Sequence, residues 1–277
     1  MTGIEIIGKD RCKRLEAAVA RAGCALKARA ASIATVAGTS PHDENPHTNL
    51  DREIDDLLLQ VLPEAWGQDP APAWLSEEKE PPPDRQDSEF VFIIDPIDGT
   101  RNVLKGRTDA CVSAAMWMRG QGVIWGSVFN PFTNEMFSAC RGGGARLNGN
   151  LLQVSDVHDV RHAMFLVSVH ESVRGMLDRV KQDFKVRPVG SIAYKMCLVA
   201  CGRGDATFTV NPRNDWDVAA ASLIVTEAGG RVTDSRGRSI DINGDSLSID
   251  GLAVTNSTIH DGVLAICDMA RRALGLH

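Results

Sequence analysis

The feature that most restricts the fold is a short apolar run that ends at two closely spaced aspartates. Residues 90–94 read Phe-Val-Phe-Ile-Ile, which predicts a strand buried on both faces. The run stops at Asp95 and continues as Asp-Pro-Ile-Asp-Gly-Thr to Thr100. A strand covered on both faces needs a layer of structure on each side, so this run favours a layered α/β protein.

The rest of the N-terminal half predicts two helices, an irregular stretch and a meander. Helical patterns span residues 10–31 and 49–62, and Pro63 is expected to end the second. Six prolines between residues 63 and 89 predict an irregular loop. Residues 110–140 predict three antiparallel strands.

The C-terminal half alternates strand and helix patterns. Strands are predicted near 164–169 and 206–210, and helices at 191–201, at 216–228 and from about residue 257. We therefore expect one domain over residues 1–277, with an α+β half (1–150) that carries the site and an α/β half (151–277).

The composition argues against several classes of protein. With 43% hydrophobic and 24% charged residues, the chain is globular rather than disordered. The net charge of −6 and the single tyrosine disfavour a nucleic-acid partner. No apolar stretch is long enough to span a bilayer and no secretion signal is evident, so we expect no membrane association and a cytoplasmic location. The seven cysteines, without a Cys-x-x-Cys pair, predict reduced and buried thiols.

Acidic residues follow the predicted buried strand and two other elements. Asp95 and Asp98 lie at the strand's end, Glu77 and Glu78 follow a short apolar island, and Asp217 opens a helix. Two carboxylates aimed at one half-buried spot repel each other and lose hydration. A hard divalent cation such as Mg²⁺ removes both costs.

Gly99 and Thr100 begin a predicted helical turn directly after these aspartates. Backbone N–H groups at a helix start attract phosphate. A metal site and a phosphate seat within six residues are what metal-assisted hydrolysis of a phosphate ester needs.

Each of these segments also has an ordinary structural interpretation. An Asp-Pro-x-Asp-Gly stretch is usually a turn, and Asp217 could simply occupy the first turn of its helix. Glu77 could belong to a solvated charge cluster, and Asp51 to an exposed acidic helix face. Taken singly, the residues do not decide between the two interpretations.

Together the segments resemble the inositol monophosphatase family of Mg²⁺-dependent, lithium-sensitive phosphatases, which are related to fructose-1,6-bisphosphatase and 3′(2′),5′-bisphosphate nucleotidase. The resemblance runs from about Thr48 to the C-terminus. It rests on two signatures, residues 92–102 and 216–221 with its continuation at 225–230, and on residues 190–193 and 196–200 between them.

The resemblance implies a five-layer α-β-α-β-α sandwich, usually paired as a homodimer, with two or three Mg²⁺ ions. One ion would be held by Glu77, Asp95 and the Ile97 carbonyl, and a second by Asp95, Asp98 and Asp217. Thr100, oriented by Asp51, would help Glu77 and the metals to activate a water. The remaining residues that it implies bind substrate, together with Asp98 and Thr100, are Gly99, Gly190 and Ser191.

The chain departs from the family pattern at three places. Ser76 replaces the usual glycine before the two glutamates, and Gly38–His42 lacks the lysine of a loop that contributes to a third metal site. A glutamate that receives sugar hydroxyls in inositol-preferring members, about seven residues before Trp216, is missing, and Arg213 lies nearby. Arg213 is a candidate ligand for a second phosphate, or a solvated loop residue. Lys195 could assist it or point to solvent.

The expected function is hydrolysis of a small phosphorylated metabolite, either an inositol phosphate or 3′-phosphoadenosine 5′-phosphate. Fructose 1,6-bisphosphate and histidinol phosphate stay open as substrates. The alternative from another class is an interaction protein of the transcription machinery, since some members of the family bind that machinery.

Overall fold

The computed structural model describes residues 2–36, 46–67, 71–168 and 184–276. Its helices are α1 (Gly3–Ile7), α2 (Lys9–Val36), α3 (Pro46–Trp66), α4 (Thr100–Leu104), α5 (Ile192–Ala200), α6 (Asp215–Glu227) and α7 (His260–Ala273). Short 3-10 helices occupy Arg85–Asp87 and Val160–His162.

The strands of the first half form a seven-stranded sheet in chain order. They are β1 (Ala73–Ser76), β2 (Phe90–Asp98), β3 (Cys111–Met118), β4 (Gly122–Asn130), β5 (Glu135–Cys140), β6 (Ala145–Leu147) and β7 (Asn150–Leu151). β1 runs parallel to β2, and every later neighbouring pair is antiparallel.

The second half contributes a five-stranded sheet and a two-stranded ribbon. The strands are β8 (Met164–Ser168), β9 (Lys185–Val189), β10 (Ala206–Thr209), β11 (Arg213–Asn214), β12 (Arg231–Thr233), β13 (Ser248–Ile249) and β14 (Leu252–Thr255). The five-stranded sheet has the order β12-β14-β10-β8-β9, and β11 pairs with β13.

Three apolar clusters join the two large sheets and the helices into five layers. Phe92 and Ile94 face α2 and α3, whereas Val91 and Ile93 face α5 and α6. The other side of α5 and α6 packs on the five-stranded sheet, whose outer face is covered by α7. The predicted α-β-α-β-α sandwich is therefore confirmed, with β2 apolar on both faces because helices cover both.

Several predicted elements are correct and two boundaries are wrong. The meander and the helices of the second half occur where the sequence places them, to within a few residues. Strand β2 continues through Asp98 instead of stopping before Asp95. α3 does not end at Pro63 but continues to Trp66. Trp66 packs against Phe90 and Phe92, and this burial offsets the helical hydrogen bond that proline cannot donate.

The Pro-rich stretch is not wholly irregular, since it contains β1. This strand pairs in register with β2, from Ala73 opposite Val91 to Ser76 opposite Ile94. Four residues without a strong periodic pattern become a strand because β2 offers them a hydrogen-bonding edge. Sequence reasoning recognises such a strand only after its neighbour is known.

The expectation of reduced, buried thiols is wrong for part of the set. Cys12 of α2 and Cys140 of β5 form a disulfide across 128 residues, and Cys24 is exposed. The two cysteines meet because α2 packs along β4 and β5, a contact that the spacing of cysteines does not reveal.

In the described ranges, none of the helices has the length and apolar character needed to cross a membrane.

Candidate active site

A cavity of about 600 Å³ opens at the carboxyl end of β2. Its lining consists of Asp51, Glu77, Glu78, Asp95, Ile97, Asp98, Gly99, Thr100, Arg101, Asn102, Gly190, Arg213 and Asp217. Every sequence-predicted site residue except Ser191 is in this lining. Glu78, Arg101 and Asn102 are additions, and the sequence signal for them was adjacency to predicted residues.

β2 delivers two aspartates to the cavity because its pairing with β3 is interrupted. Asp95 is opposite Ser113 and Asp98 opposite Cys111, with a register shift between them. In a regular strand, residues three apart point to opposite faces. Pro96 cannot donate to the ladder, and the resulting irregularity brings both carboxylates to one side.

Glu77 reaches the same cavity because β1 and β2 are parallel. Their carboxyl ends lie at one edge of the sheet, and the Glu77 N–H donates to the Ile94 carbonyl at 3.3 Å. Although the residue as a whole is exposed at the rim, its carboxyl is enclosed by the cavity and hydrogen-bonds that of Asp95.

The Thr100 hydroxyl lies between two acceptors. It is 2.7 Å from Asp51 Oδ1 and 3.0 Å from the Ile97 carbonyl. Asp51 is buried in α3, so the interpretation as an exposed acidic face is wrong.

Asp98 is fixed by the start of α5. Its Oδ2 accepts hydrogen bonds from the Ser191 hydroxyl at 2.5 Å and from the Ala193 N–H at 2.6 Å. Ser191 is itself fully buried and caps α5. The structure thus places Ser191 behind Asp98, outside the cavity lining.

Asp217 combines a structural role with a place in the cavity. It lies in the first turn of α6, where its Oδ2 accepts a hydrogen bond from the Asn214 N–H at 2.9 Å. The ordinary interpretation of this aspartate is therefore correct, and the residue still lines the cavity.

Two glycines permit close backbone approach. Gly99 adopts φ 98° at the start of α4, and a Cβ there would lie 2.8 Å from the Asp109 carbonyl. A Cβ on Gly190 would lie 2.0 Å from Asn102 Nδ2. A larger residue at Gly190 would push α4 away from the β9–α5 junction, and one at Gly99 would collide with the backbone at Asp109.

The carboxylates raise one another's pKa values. Burial, followed by the charge of Asp217, raises the pKa of Glu77 to about 7. Burial and Asp98 raise the pKa of Asp217 to about 6. The pKa of Asp95 is raised well above its ordinary value by burial and by Glu77. Burial and mutual repulsion thus favour the protonated forms of these acids, and a bound cation would favour the ionised forms.

The donor chemistry of this set fits a hard divalent cation. All donors are oxygens, as Mg²⁺ prefers, and Glu77, Asp95, the Ile97 carbonyl, Asp98 and Asp217 all line one cavity. As the side chains are oriented, no group of three or more His, Cys, Asp or Glu among the described residues is arranged to hold a metal ion. The carboxyls instead hydrogen-bond each other and the backbone.

Two cations singled out from the sequence lie near the acidic set. Arg213 lines the cavity, and its charge lowers the pKa of Asp217 against the larger effect of burial. Lys195 of α5 is 1% exposed, so the suggestion that it points to solvent is wrong. The segment Gly38–His42, singled out for a third metal, lies outside the described residues.

This chain is a five-layer α/β sandwich with a cavity lined by carboxylates. Solved structures of other proteins share this fold. The structure of the Thermotoga maritima IMPase superposes with a TM-score of 0.77 at 26% identity, covering 94% of this chain and 97% of that one. The extragenic suppressor protein suhB of Bartonella henselae gives a TM-score of 0.76 at 27% identity, covering 92% and 98%.

Sequence comparison gives the same family. The model of the inositol monophosphatase family matches residues 11–270. Nus factor SuhB of Pasteurella multocida is 34% identical over 193 residues, which are 67% of this chain and 70% of that protein. Inositol monophosphatase 2 of Solanum lycopersicum is 39% identical over 155 residues, 52% of this chain and 57% of that protein. The chain belongs to the inositol monophosphatase family.

Proposed function

We propose that this protein is a Mg²⁺-dependent phosphomonoesterase that releases phosphate from a small phosphorylated metabolite. The observation that carries the proposal is the convergence of Glu77, Asp95, Asp98 and Asp217 beside the Thr100–Asp51 hydrogen bond. A cavity of about 600 Å³ suits a ligand of metabolite size. Relatives named inositol monophosphatase support the same activity.

The carboxylates and the Ile97 carbonyl would hold the metal. Mg²⁺ bound there supplies charge stabilisation at the phosphoryl oxygens and acidifies water. Asp51 holds the Thr100 hydroxyl at 2.7 Å, so Thr100 can accept a proton from a water while Asp51 takes the proton of its hydroxyl. Gly99 and Thr100 present backbone N–H groups to the phosphate.

Among the substrates left open by the sequence, Arg213 favours one with a second phosphate. A guanidinium binds phosphate through two parallel hydrogen bonds, and Arg213 lines the cavity next to Asp217. We therefore rank 3′-phosphoadenosine 5′-phosphate above an inositol phosphate. Fructose 1,6-bisphosphate and histidinol phosphate follow.

The deciding experiment measures inorganic phosphate release with Mg²⁺ from myo-inositol 1-phosphate and from 3′-phosphoadenosine 5′-phosphate, each with and without Li⁺. Lithium-sensitive release from the nucleotide supports both the class and the Arg213 argument. Preference for the inositol phosphate keeps the class and refutes the Arg213 argument. If phosphate is released neither from these two substrates nor from fructose 1,6-bisphosphate or histidinol phosphate, the proposed phosphomonoesterase activity is refuted.

The relatives named Nus factor SuhB favour a second candidate, a role in transcription. The net charge of −6 disfavours binding to RNA, so such a role would run through protein contacts. Asp95→Asn separates the two functions, because an adaptor keeps its binding when the metal site is removed. The homodimer, lithium sensitivity, the single domain over residues 1–277 and the cytoplasmic location stay predictions.

A further inference from the structure

The turn that carries Glu77 is attached to α3 by neighbouring side chains. The Ser76 hydroxyl donates to Asp55 Oδ1 at 2.5 Å. Lys79 Nζ lies 3.4 Å from Asp55 Oδ2 and 3.1 Å from Asp56 Oδ1. Glu77 is thus enclosed between two residues that both contact Asp55.

The Ser76–Asp55 contact is buried, unlike most polar contacts near a loop. Ser76 is 2% exposed and Asp55 1%. A buried carboxylate needs partners to offset its lost hydration; Ser76 supplies a hydrogen bond to Oδ1, and Lys79 supplies a positive charge 3.4 Å from Oδ2. The Ser76 Oγ also accepts a hydrogen bond from the Glu78 N–H at 3.2 Å, so the backbone is fixed on both sides of Glu77.

Helix α3 also contacts Thr100, which lines the same cavity as Glu77. Asp51 lies one turn before Asp55 on α3 and accepts the Thr100 hydroxyl. Positions four apart share one helix face. One face of α3 therefore contacts both the Glu77 turn through Asp55 and the Thr100 hydroxyl through Asp51.

We propose that Asp55 and Ser76 are positioning residues, which hold Glu77 at the distance from the Thr100–Asp51 pair that metal binding requires. This inference rests on the proposed function, because it assumes that Glu77 is a metal ligand. Ser76, a departure from the glycine of the family pattern, then replaces backbone freedom with a hydrogen bond. Groups that orient metal ligands typically contribute 10–100-fold in affinity.

The test uses Mn²⁺ as a paramagnetic substitute for Mg²⁺ and measures free Mn²⁺ by EPR during titration of the protein. The variants are Ser76→Ala, which removes the hydroxyl, and Ser76→Thr, which keeps it. Ser127→Ala is the matched control, since Ser127 is equally buried and its hydroxyl contacts Met136 on β5. Melting temperatures in EDTA and in saturating Mn²⁺ are recorded for each variant.

We expect Ser76→Ala to weaken Mn²⁺ binding roughly tenfold and to reduce the gain in melting temperature that Mn²⁺ gives. Ser76→Thr and Ser127→Ala should bind Mn²⁺ like the unaltered protein. Equal affinity in Ser76→Ala, or equal weakening in Ser76→Thr, overturns the inference while the proposed function stands. Absence of Mn²⁺ binding in the unaltered protein overturns both.

Should Ser76→Ala not fold, Lys79→Met tests the same attachment from the exposed side, because Lys79 is 44% exposed. Weaker Mn²⁺ binding in Lys79→Met, with an unchanged melting temperature in EDTA, supports the inference. Unchanged binding overturns it.

Discussion

The Thr100 hydroxyl has one proton and two acceptors, Asp51 Oδ1 at 2.7 Å and the Ile97 carbonyl at 3.0 Å. It can donate to only one of them at a time. If the Ile97 carbonyl ligated a cation as proposed, it would be a weaker acceptor and Asp51 would be the favoured one. The geometry thus links metal binding to the direction of the Thr100 proton.

Removing this link should lower turnover more than metal affinity. We expect Thr100→Ala and Asp51→Asn each to reduce kcat about 10²-fold, the usual contribution of a positioned proton acceptor. The double variant should lose little more, because the two residues act as a unit. Glu53→Gln, on the same helix, is the control. Phosphate release at saturating Mg²⁺ measures the effect, and losses that multiply in the double variant would argue against a shared role.

Asp95→Asn should abolish turnover and leave the fold intact. The variant removes the carboxylate that the proposed metals share, and we expect a loss of about 10²–10⁴-fold. Burial, and then the charge of Glu77, raise the pKa of Asp95, so the neutral amide should not lower the melting temperature in EDTA. Asp268→Asn, an exposed change on α7, is the control. Activity retained at saturating Mg²⁺ contradicts the metal assignment.

The stability of the metal-free protein should fall as pH rises. Glu77 has an ordinary pKa of 4.5, raised to about 7 in the fold, and Asp217 one of 3.8, raised to about 6. At pH values between the ordinary and the raised pKa of each group, the folded state binds more protons than the unfolded state. The free energy of unfolding therefore decreases as the pH rises. Mg²⁺ should cancel the trend, because it binds the ionised carboxylates.

Thermal melts from pH 5 to pH 8, in EDTA and in Mg²⁺, measure this dependence. The difference between the two melting temperatures should grow by roughly 5 °C or more across the range. A difference that is constant with pH means that the metal does not displace protons from these carboxyls.

Arg213→Ala should raise KM for a bisphosphate and leave KM for a monophosphate unchanged. Loss of a charge-assisted hydrogen bond costs about 1.5–3 kcal/mol, which corresponds to roughly a tenfold change or more in KM. Arg213→Lys should give an intermediate value, since lysine cannot bind phosphate through two parallel bonds. Arg272→Ala, an exposed change on α7, is the control. Equal effects on both substrates would show that Arg213 serves Asp217 as a counter-ion instead.

Much of the fold could be predicted from local pattern. The continuous apolar run of β2 predicts a strand covered on both faces, and helices on both sides meet that prediction. The alternation of strands and helices after residue 160 is equally visible. β1 was missed, because it is a strand by virtue of its pairing with β2 and not by its own pattern.

The sequence by itself determined the core of the site, from Asp95 to Thr100, because those residues are neighbours and their geometry follows from a strand, a proline and a glycine. Only the tertiary structure decided that Asp51 is buried against Thr100, that Ser191 lies behind Asp98, and that Lys195 is inside the protein. It likewise paired Cys12 with Cys140. The reason is that a residue's surroundings depend on elements distant in the chain, whereas local patterns report only the chain's own conformation.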